Sequence, residues 1–151
     1  MEDCIFCKIA KGEIPCHKVY EDDDCIAFLD INPNTKGMTI VALKQHYDAY
    51  AFDVPENVYI KLLKSVRKVA KLLDKKLDVK RTGMVMEGMG INHLHIKLYP
   101  LHGLKEKFTD GGFWAKDKVF FEKYEGYIST QLGPRMDDEK LKKLAKEIRE
   151  N

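Results

Sequence analysis

His93 and His95 stand two residues apart in the apolar run INHLHIKLYP, and Lys97 follows two residues further on. Side chains alternate across a β-strand. An extended run therefore puts Ile91, His93, His95, Lys97 and Tyr99 on one face and Asn92, Leu94, Ile96 and Leu98 on the other. Same-face neighbours are about 6.5–7 Å apart, too far for the two imidazoles to bond each other directly, so each needs its own role. Three roles fit the pair. Both rings can be satisfied structural histidines, both can hold one metal that activates water, or one can bind a metal while the other acts as nucleophile or acid/base.

The cysteines bear on that choice. Cys4, Cys7, Cys16 and Cys25 all fall in the first 25 residues, with Cys4 and Cys7 in C-x-x-C spacing. In a reducing compartment this spacing points to metal or redox chemistry rather than to a structural disulfide. A structural zinc is closed by four N or S ligands. His46, just past the apolar run MTIVALKQ, and His93 would complete such a set with Cys4 and Cys7; the alternative is a pair of ordinary buried thiols. If His93 is so used, His95 is left facing a pocket. A neutral imidazole whose other nitrogen is held as a donor is a nucleophile at physiological pH, and electrophilic phosphorus is its natural target. Lys97 would place an ammonium beside developing phosphate charge, or would simply face solvent.

These groups need elements to position them. KVYEDDDCIAFLD reads as two strands, around Val19–Tyr20 and Cys25–Leu29, joined by the acidic turn 21–24. DINPNTKG carries turn chemistry, and MTIVAL is a third strand. From Pro55 to about Leu77, apolar residues recur at helical spacing (Val58, Tyr59, Leu62, Leu63, Val66, Val69, Ala70, Leu73), with Asp53 as the expected N-cap. The intervening Lys61, Lys64, Arg67, Lys68 and Lys71 read as a solvated face in preference to a basic binding stripe. GMVMEG is a short strand closed by Gly88; the histidine run is the last strand. A terminal helix buries Leu141, Leu144, Ala145 and Ile148 and is capped by Asp137 or a neighbour. Sequential strands with one long helix between them predict an antiparallel α+β sheet.

A chain of 151 residues fits one domain that buries roughly two-thirds of its unfolded surface. Its net charge of +2 lacks the basic footprint of nucleic-acid or membrane binding, so the expected partner is a small molecule. Neither a leader pattern in the first thirty residues nor an apolar run approaching ~20 residues is present, which sets the expectation of a cytoplasmic protein.

The residues from Cys4 to His46, CIFCKIAKGEIPCHKVYEDDDCIAFLDINPNTKGMTIVALKQH, together with HLHIKLYP, resemble the histidine triad (HIT) superfamily of nucleotide hydrolases and transferases. With the intervening helix, the resemblance covers about two-thirds of the chain. It implies an HIT-like α+β fold: an antiparallel five-stranded sheet with a long helix and a C-terminal helix, paired across a two-fold into a homodimer. It makes residues 1–151 a single HIT-like domain, with a core of about 1–105 and a C-terminal extension over 106–151. It implies attack by His95 on the α-phosphorus of a nucleoside phosphate, a covalent nucleotidyl-histidine, and zinc held by Cys4, Cys7, His46 and His93. It also implies a nucleotide pocket of Ile5, Phe6, Phe28, Asp30 and Ile31, in which Asp30 holds the ribose, with Gly90 and Asn92 (and Gly88) at the phosphate. Core packing for Phe6 and Phe28, and an Asx-turn for Asp30, are the competing readings of those residues.

The chain departs from that pattern where Lys97 stands in the third signature position, Met38 where a further histidine often begins the third strand, and Met86 where an asparagine is common. Lysine, with a pKa of ~10.4, neutralises phosphate but does not exchange protons near neutral pH. His102, in YPLHG, is either a replacement proton donor or an exposed loop histidine. Three functions follow: a nucleotide hydrolase or nucleotidyl transferase using His95 with Lys97 as phosphate cation, a nucleotide-binding or sensing protein with weak turnover, and a metal-dependent hydrolase with His93 and His95 as ligands. Adenosine and guanosine phosphoramidates, dinucleoside polyphosphates and adenylylated proteins lie in the family's range, with adenine nucleotides favoured. Phe113, Trp114, Phe120, Phe121, Tyr124 and Tyr127 are expected to form a lid or extend a dimer interface.

Overall fold

The computed structural model describes residues 3–104, 119–126, 128 and 132–150; Phe113, Trp114 and Tyr127 of the aromatic extension lie outside them. The elements run α1 (Ile5–Ala10), β1 (Lys18–Glu21), β2 (Cys25–Leu29), β3 (Thr39–Leu43), a 3-10 turn (Ala51–Asp53), α2 (Glu56–Lys76), β4 (Thr82–Val85), β5 (His95–Pro100) and α3 (Asp138–Glu150). The five strands form one sheet in the order β1-β2-β3-β5-β4, antiparallel at each neighbouring pair. Every residue of β2 and β3 is buried. That is why both read as unbroken apolar runs: one face meets α2 and α3, the other meets α1 and a cavity.

Register assigns the side chains to those faces. Across the cavity side, Ile26, Ala42 and His95 form one row, and Phe28, Ile40 and Lys97 form the next. Leu94, Ile96 and Leu98 fall on the opposite side, fully buried with Val58, Leu62, Val66, Val69 and Leu73 of α2. Lys61, Lys64, Arg67, Lys68 and Lys71 are exposed on the outer face of α2, and Lys61 also pairs with Asp24 at 2.8 Å.

Three boundaries differ from expectation. Asp53 does not cap α2: it belongs to the preceding 3-10 turn, and Pro55 takes the cap position without a side-chain bond. The cause is proline, which drives Val54 to φ −85°, ψ 155°, outside the helical region, so no helix can run back to Asp53. The strand β4 stops at Val85 rather than at Gly88. Gly88 adopts φ +69°, outside the extended region, and a Cβ there would lie 3.1 Å from the Ala49 carbonyl oxygen, so glycine suits the irregular segment after the strand. Finally, β5 begins at His95, so His93 lies in the bend before the strand. There the His93 N–H donates to Ile91 O (2.8 Å) and the Leu94 N–H to Tyr47 O (2.9 Å), turning the chain toward the cysteines.

At the other end, Asp137 caps α3 by accepting the Lys140 N–H (3.1 Å), and Leu141, Leu144, Ala145 and Ile148 are buried as expected. The segment before α3 is laid against the turn after β2: the Gly133 N–H donates to Asn32 O (3.0 Å) and the Met136 N–H to Ile31 O (2.8 Å). A Cβ at Gly133 would fall 2.0 Å from the Pro33 carbonyl oxygen, so only glycine fits this approach.

The β1–β2 turn is tied to α2 through Asp22. Its carboxylate accepts Tyr20 Oη (2.8 Å), Ser65 Oγ (2.7 Å) and the backbone N–H groups of Asp24 (3.1 Å) and Cys25 (2.8 Å). Burial works upward on its pKa, but these hydrogen bonds together hold it below the usual carboxylate range. A carboxylate so depressed stabilises the fold above its unfolded pKa, ~3.9, and ceases to do so as pH falls through the folded value. Asp22→Ala is therefore expected to lower the unfolding free energy by about 1–3 kcal/mol at pH 7. Denaturant titration should show the gap to wild type narrowing below about pH 4; a gap of constant size into acid contradicts the assignment.

Candidate functional site

Four side chains distant in sequence meet at one point. Cys4 and Cys7 come from the start of α1, His46 from the loop after β3, and His93 from the bend before β5; their ligand atoms all lie within 4.8 Å of one another. His93 Nδ1 is 3.3 Å from Cys4 Sγ and 3.5 Å from Cys7 Sγ, and His46 Nδ1 is 3.4 Å from Cys7 Sγ. A tetrahedral ion with zinc-like bond lengths separates its S and N ligands by about 3.5 Å, so the cluster matches the edges of such a polyhedron. The far nitrogen of His93 is also arranged for ligation. Nε2 lies 2.7 Å from the Leu43 carbonyl, which can only accept, so Nε2 carries the proton and Nδ1 presents its lone pair to the thiols. Burial, with the bond and charge of nearby Cys4, pushes the Cys7 thiol up. These four residues could hold a metal ion.

His95 is wired in the opposite sense. Its Nδ1 lies 2.6 Å from the carbonyl of His93. Because that oxygen only accepts, Nδ1–H donates and Nε2 is left with a free lone pair. Burial lowers its pKa, with Lys97 acting the same way, so the ring is neutral at neutral pH. Phe6 packs edge-on to the rings of His93 (5.7 Å), His95 (5.2 Å) and Phe28 (5.5 Å).

His95 and Lys97 open onto a cavity of about 730 Å³. Its lining brings together Ile5, Phe6, Phe28, Asp30, Ile31 and Gly90. Phe6 and Phe28 serve packing and cavity at once. Asp30 is buried; one carboxylate oxygen accepts the Asn32 N–H (2.8 Å) in an Asx-turn, and the residue still borders the cavity. Asn92 is not brought to the lining. Its Oδ1 accepts the Ala49 N–H (2.9 Å) and its Nδ2 donates to Asp48 (2.8 Å), so it fastens the loop that carries His46. Met38 is fully buried. His102 is exposed, its Nε2 lies 2.9 Å from the Lys36 carbonyl, and it is not among the described residues that line the cavity.

Several contributors carry little or no signal in the sequence. Ile9, Ile14 and Ile40 add apolar wall, of which only Ile9 shows itself, four residues along a helix from Ile5. Leu132, Arg135 and Asp138 reach the cavity from the C-terminal segment, and Asp138 is held by His17 (3.0 Å) and Arg135 (2.8 Å). Glu87 pairs with Lys97 at 3.4 Å and accepts the Tyr124 hydroxyl at 2.6 Å, so the extension contacts the site through Tyr124, whereas Phe120 is exposed. Tyr99 follows Lys97 on the cavity side. Its hydroxyl is buried without a hydrogen-bond partner among the described residues, and burial with nearby Asp30 and Glu87 pushes its pKa up to about 12.

A HIT domain family model matches residues 11–103. The chain belongs to the HIT family. An uncharacterised HIT-like protein of Methanocaldococcus jannaschii is 43% identical over 103 residues, 64% of this chain and 78% of that one. An adenosine 5'-monophosphoramidase of Candida albicans is 32% identical over 156 residues, 91% of this chain and 96% of that one. Among solved structures, a HIT-like protein involved in cell-cycle regulation from Bartonella henselae superposes with a TM-score of 0.72 at 26% identity, covering 99% of this chain and 96% of that chain. The α+β arrangement described above is thus the HIT fold. The HIT family includes nucleotide hydrolases; here His95 lines the cavity, and Cys4 and Cys7 gather with His46 and His93 beside it, His93 being two residues before His95.

The metal cluster is testable apart from any activity. Protein purified without chelator is expected to carry close to one metal ion per chain by elemental analysis. Cys7→Ala and His93→Ala should abolish it, and His95→Ala should retain it. Retention in the first two variants, or loss in the third, contradicts the ligand assignment.

Proposed function

We propose that the protein is a nucleotide hydrolase or nucleotidyl transferase that works through a covalent nucleotidyl-histidine at His95. The observation that carries this reading is the His95 tautomer: Nδ1–H bonded to the His93 carbonyl leaves Nε2 as a neutral nucleophile at the cavity wall, with the Lys97 ammonium two residues along the same strand face. The Nε2 lone pair forms a bond to the α-phosphorus while the bond from phosphorus to the leaving group breaks and its electron pair departs with that group. Lys97 offsets charge on the phosphoryl oxygens. Water then attacks phosphorus and gives up a proton to solvent, the N–P bond breaks with its electron pair returning to Nε2, and nucleoside monophosphate leaves; a different acceptor would carry the nucleotidyl group away instead, and in both cases the ring ends neutral with its Nδ1–H still donating to the His93 carbonyl.

The nucleoside is assigned to the apolar part of the cavity, between Ile5, Phe6, Phe28 and Ile31, its ribose hydroxyls on Asp30 and its phosphate near Gly90. An adenine nucleotide is favoured because the relative from Candida albicans is named an adenosine 5'-monophosphoramidase. The ion at Cys4, Cys7, His46 and His93 is read as a structural zinc, which suits a closed Cys₂His₂ donor set. Joint ligation by His93 and His95 finds no support in the geometry, since both nitrogens of His93 are already engaged. The sensing reading draws on a different observation: Glu87 partly neutralises Lys97, and a lysine supplies no proton to the leaving group near neutral pH.

The chain is read as one HIT-like domain that pairs into a homodimer. Edge strand β4 supports pairing, with Met84 53% exposed on it. A cytoplasmic setting suits the free cysteines, and among the described residues no helix is long and apolar enough to cross a membrane.

Incubation with a dinucleoside polyphosphate labelled at the α-phosphate should leave acid-labile label on wild type and none on His95→Ala, whose turnover falls by about a thousandfold or more. The protein should elute near twice its 17.5 kDa chain mass. Turnover without an adduct that stops reversibly on chelation favours a metal hydrolase; nucleotide binding without turnover favours a sensor.

A further inference from the structure

A carboxylate stands behind the cation that faces the phosphate. Lys97 Nζ lies 3.4 Å from Glu87 Oε1, with side chains 14% and 7% exposed, so the pair is largely out of water. Lys97 borders the cavity. Glu87 is fixed from its other side by the Tyr124 hydroxyl, 2.6 Å from Oε2, and it follows by two residues Val85, the cross-strand partner of Lys97. Neither the nucleophile, the metal cluster nor the apolar wall needs this residue. Placing a negative charge beside a subsite for anions works against binding, which calls for a reason.

Among the described residues, the titratable groups that face Glu87 are Lys97, His95 and Tyr99 on β5 and Tyr124 from the extension, and Asp30, next after β2, acts on the same His95 and Tyr99. Lys97 and Glu87 form an ion pair, and Asp30 is a further carboxylate at the cavity. That balance treats ligands differently according to their charge. The α-phosphate of a phosphoramidate, diester or anhydride carries a single negative charge, whereas a nucleoside monophosphate, with a second pKa near ~6, carries close to two at neutral pH.

We propose that Glu87 is the residue that sets the charge preference of the phosphate subsite, disfavouring the dianionic monophosphate product relative to singly charged substrates. It is a positioning residue: it holds the Lys97 ammonium and limits how much of that charge reaches the ligand. Release of product is thereby eased without weakening attachment of the substrate. The proposal rests on the nucleotide reading of the cavity.

Calorimetry on the full chain separates the two. The probes are AMP, a dianion at pH 7.5, and its methyl phosphate ester, a monoanion with the same nucleoside. Glu87→Gln keeps the side-chain shape and removes the charge, and is expected to tighten AMP by about tenfold while the ester changes by less than about threefold. Glu87→Asp should restore the wild-type ratio. A residue needed only for structure would weaken both ligands in parallel, and an unchanged AMP-to-ester ratio in Glu87→Gln overturns the proposal. If Glu87→Gln fails to fold, wild type decides: the ester binds at least as tightly as AMP, and tighter binding of AMP overturns the proposal. Absence of binding by either probe overturns the nucleotide reading together with it; binding with an unchanged ratio overturns only the role of Glu87.

Discussion

Two carbonyl oxygens set the chemistry of this molecule. The Leu43 carbonyl accepts from Nε2 of His93 and the His93 carbonyl accepts from Nδ1 of His95, so two imidazoles two residues apart are held in opposite tautomers. One presents Nδ1 to a pair of thiols, the other presents Nε2 to a cavity. A strand through both residues would have pointed both rings the same way. Starting β5 at His95 and bending the chain at His93 is what sends the two rings to different neighbours.

The consequences spread through α1. Cys7 joins the Cys₂His₂ cluster from the same short helix that carries Phe6, and Phe6 touches His93, His95 and Phe28 edge-on. A six-residue helix has little stability of its own. An ion held by Cys4 and Cys7 would anchor that helix as the roof of the cavity above His95, organising the pocket from outside it. The sheet supplies the floor, because rows Ile26–Ala42–His95 and Phe28–Ile40–Lys97 place apolar surface beside His95 and Lys97 of β5. The C-terminal segment closes the far end, pinned by Gly133 and Met136 to the turn that follows Asp30.

Much of this was legible in the residues, for identifiable reasons. Thiols and imidazoles have few other uses in such a set, so Cys4, Cys7, His46 and His93 could be grouped before their meeting in space was known. The strands and α2 announce themselves by period, since burial on one or both faces dictates where apolar residues fall. What stayed hidden depends on contacts that no local pattern encodes. Asn92 has the side chain of a phosphate ligand but is consumed by the Ala49 amide and Asp48. Glu87 looks like any surface acid until Lys97 and Tyr124 close on it, and Arg135 reaches the cavity across more than a hundred residues of chain. Asp53 was misplaced because proline at position 55 overrides the capping preference of an aspartate two residues earlier.

The split between the two histidines is the claim on which the functional reading turns, and nitrogen-15 NMR of the imidazole rings in the full chain measures it directly. The account predicts His95 as the neutral Nδ1–H tautomer with an unprotonated Nε2, and His93 as the Nε2–H tautomer. A His95 ring protonated at Nε2 in the resting protein would remove the nucleophile and contradict the account.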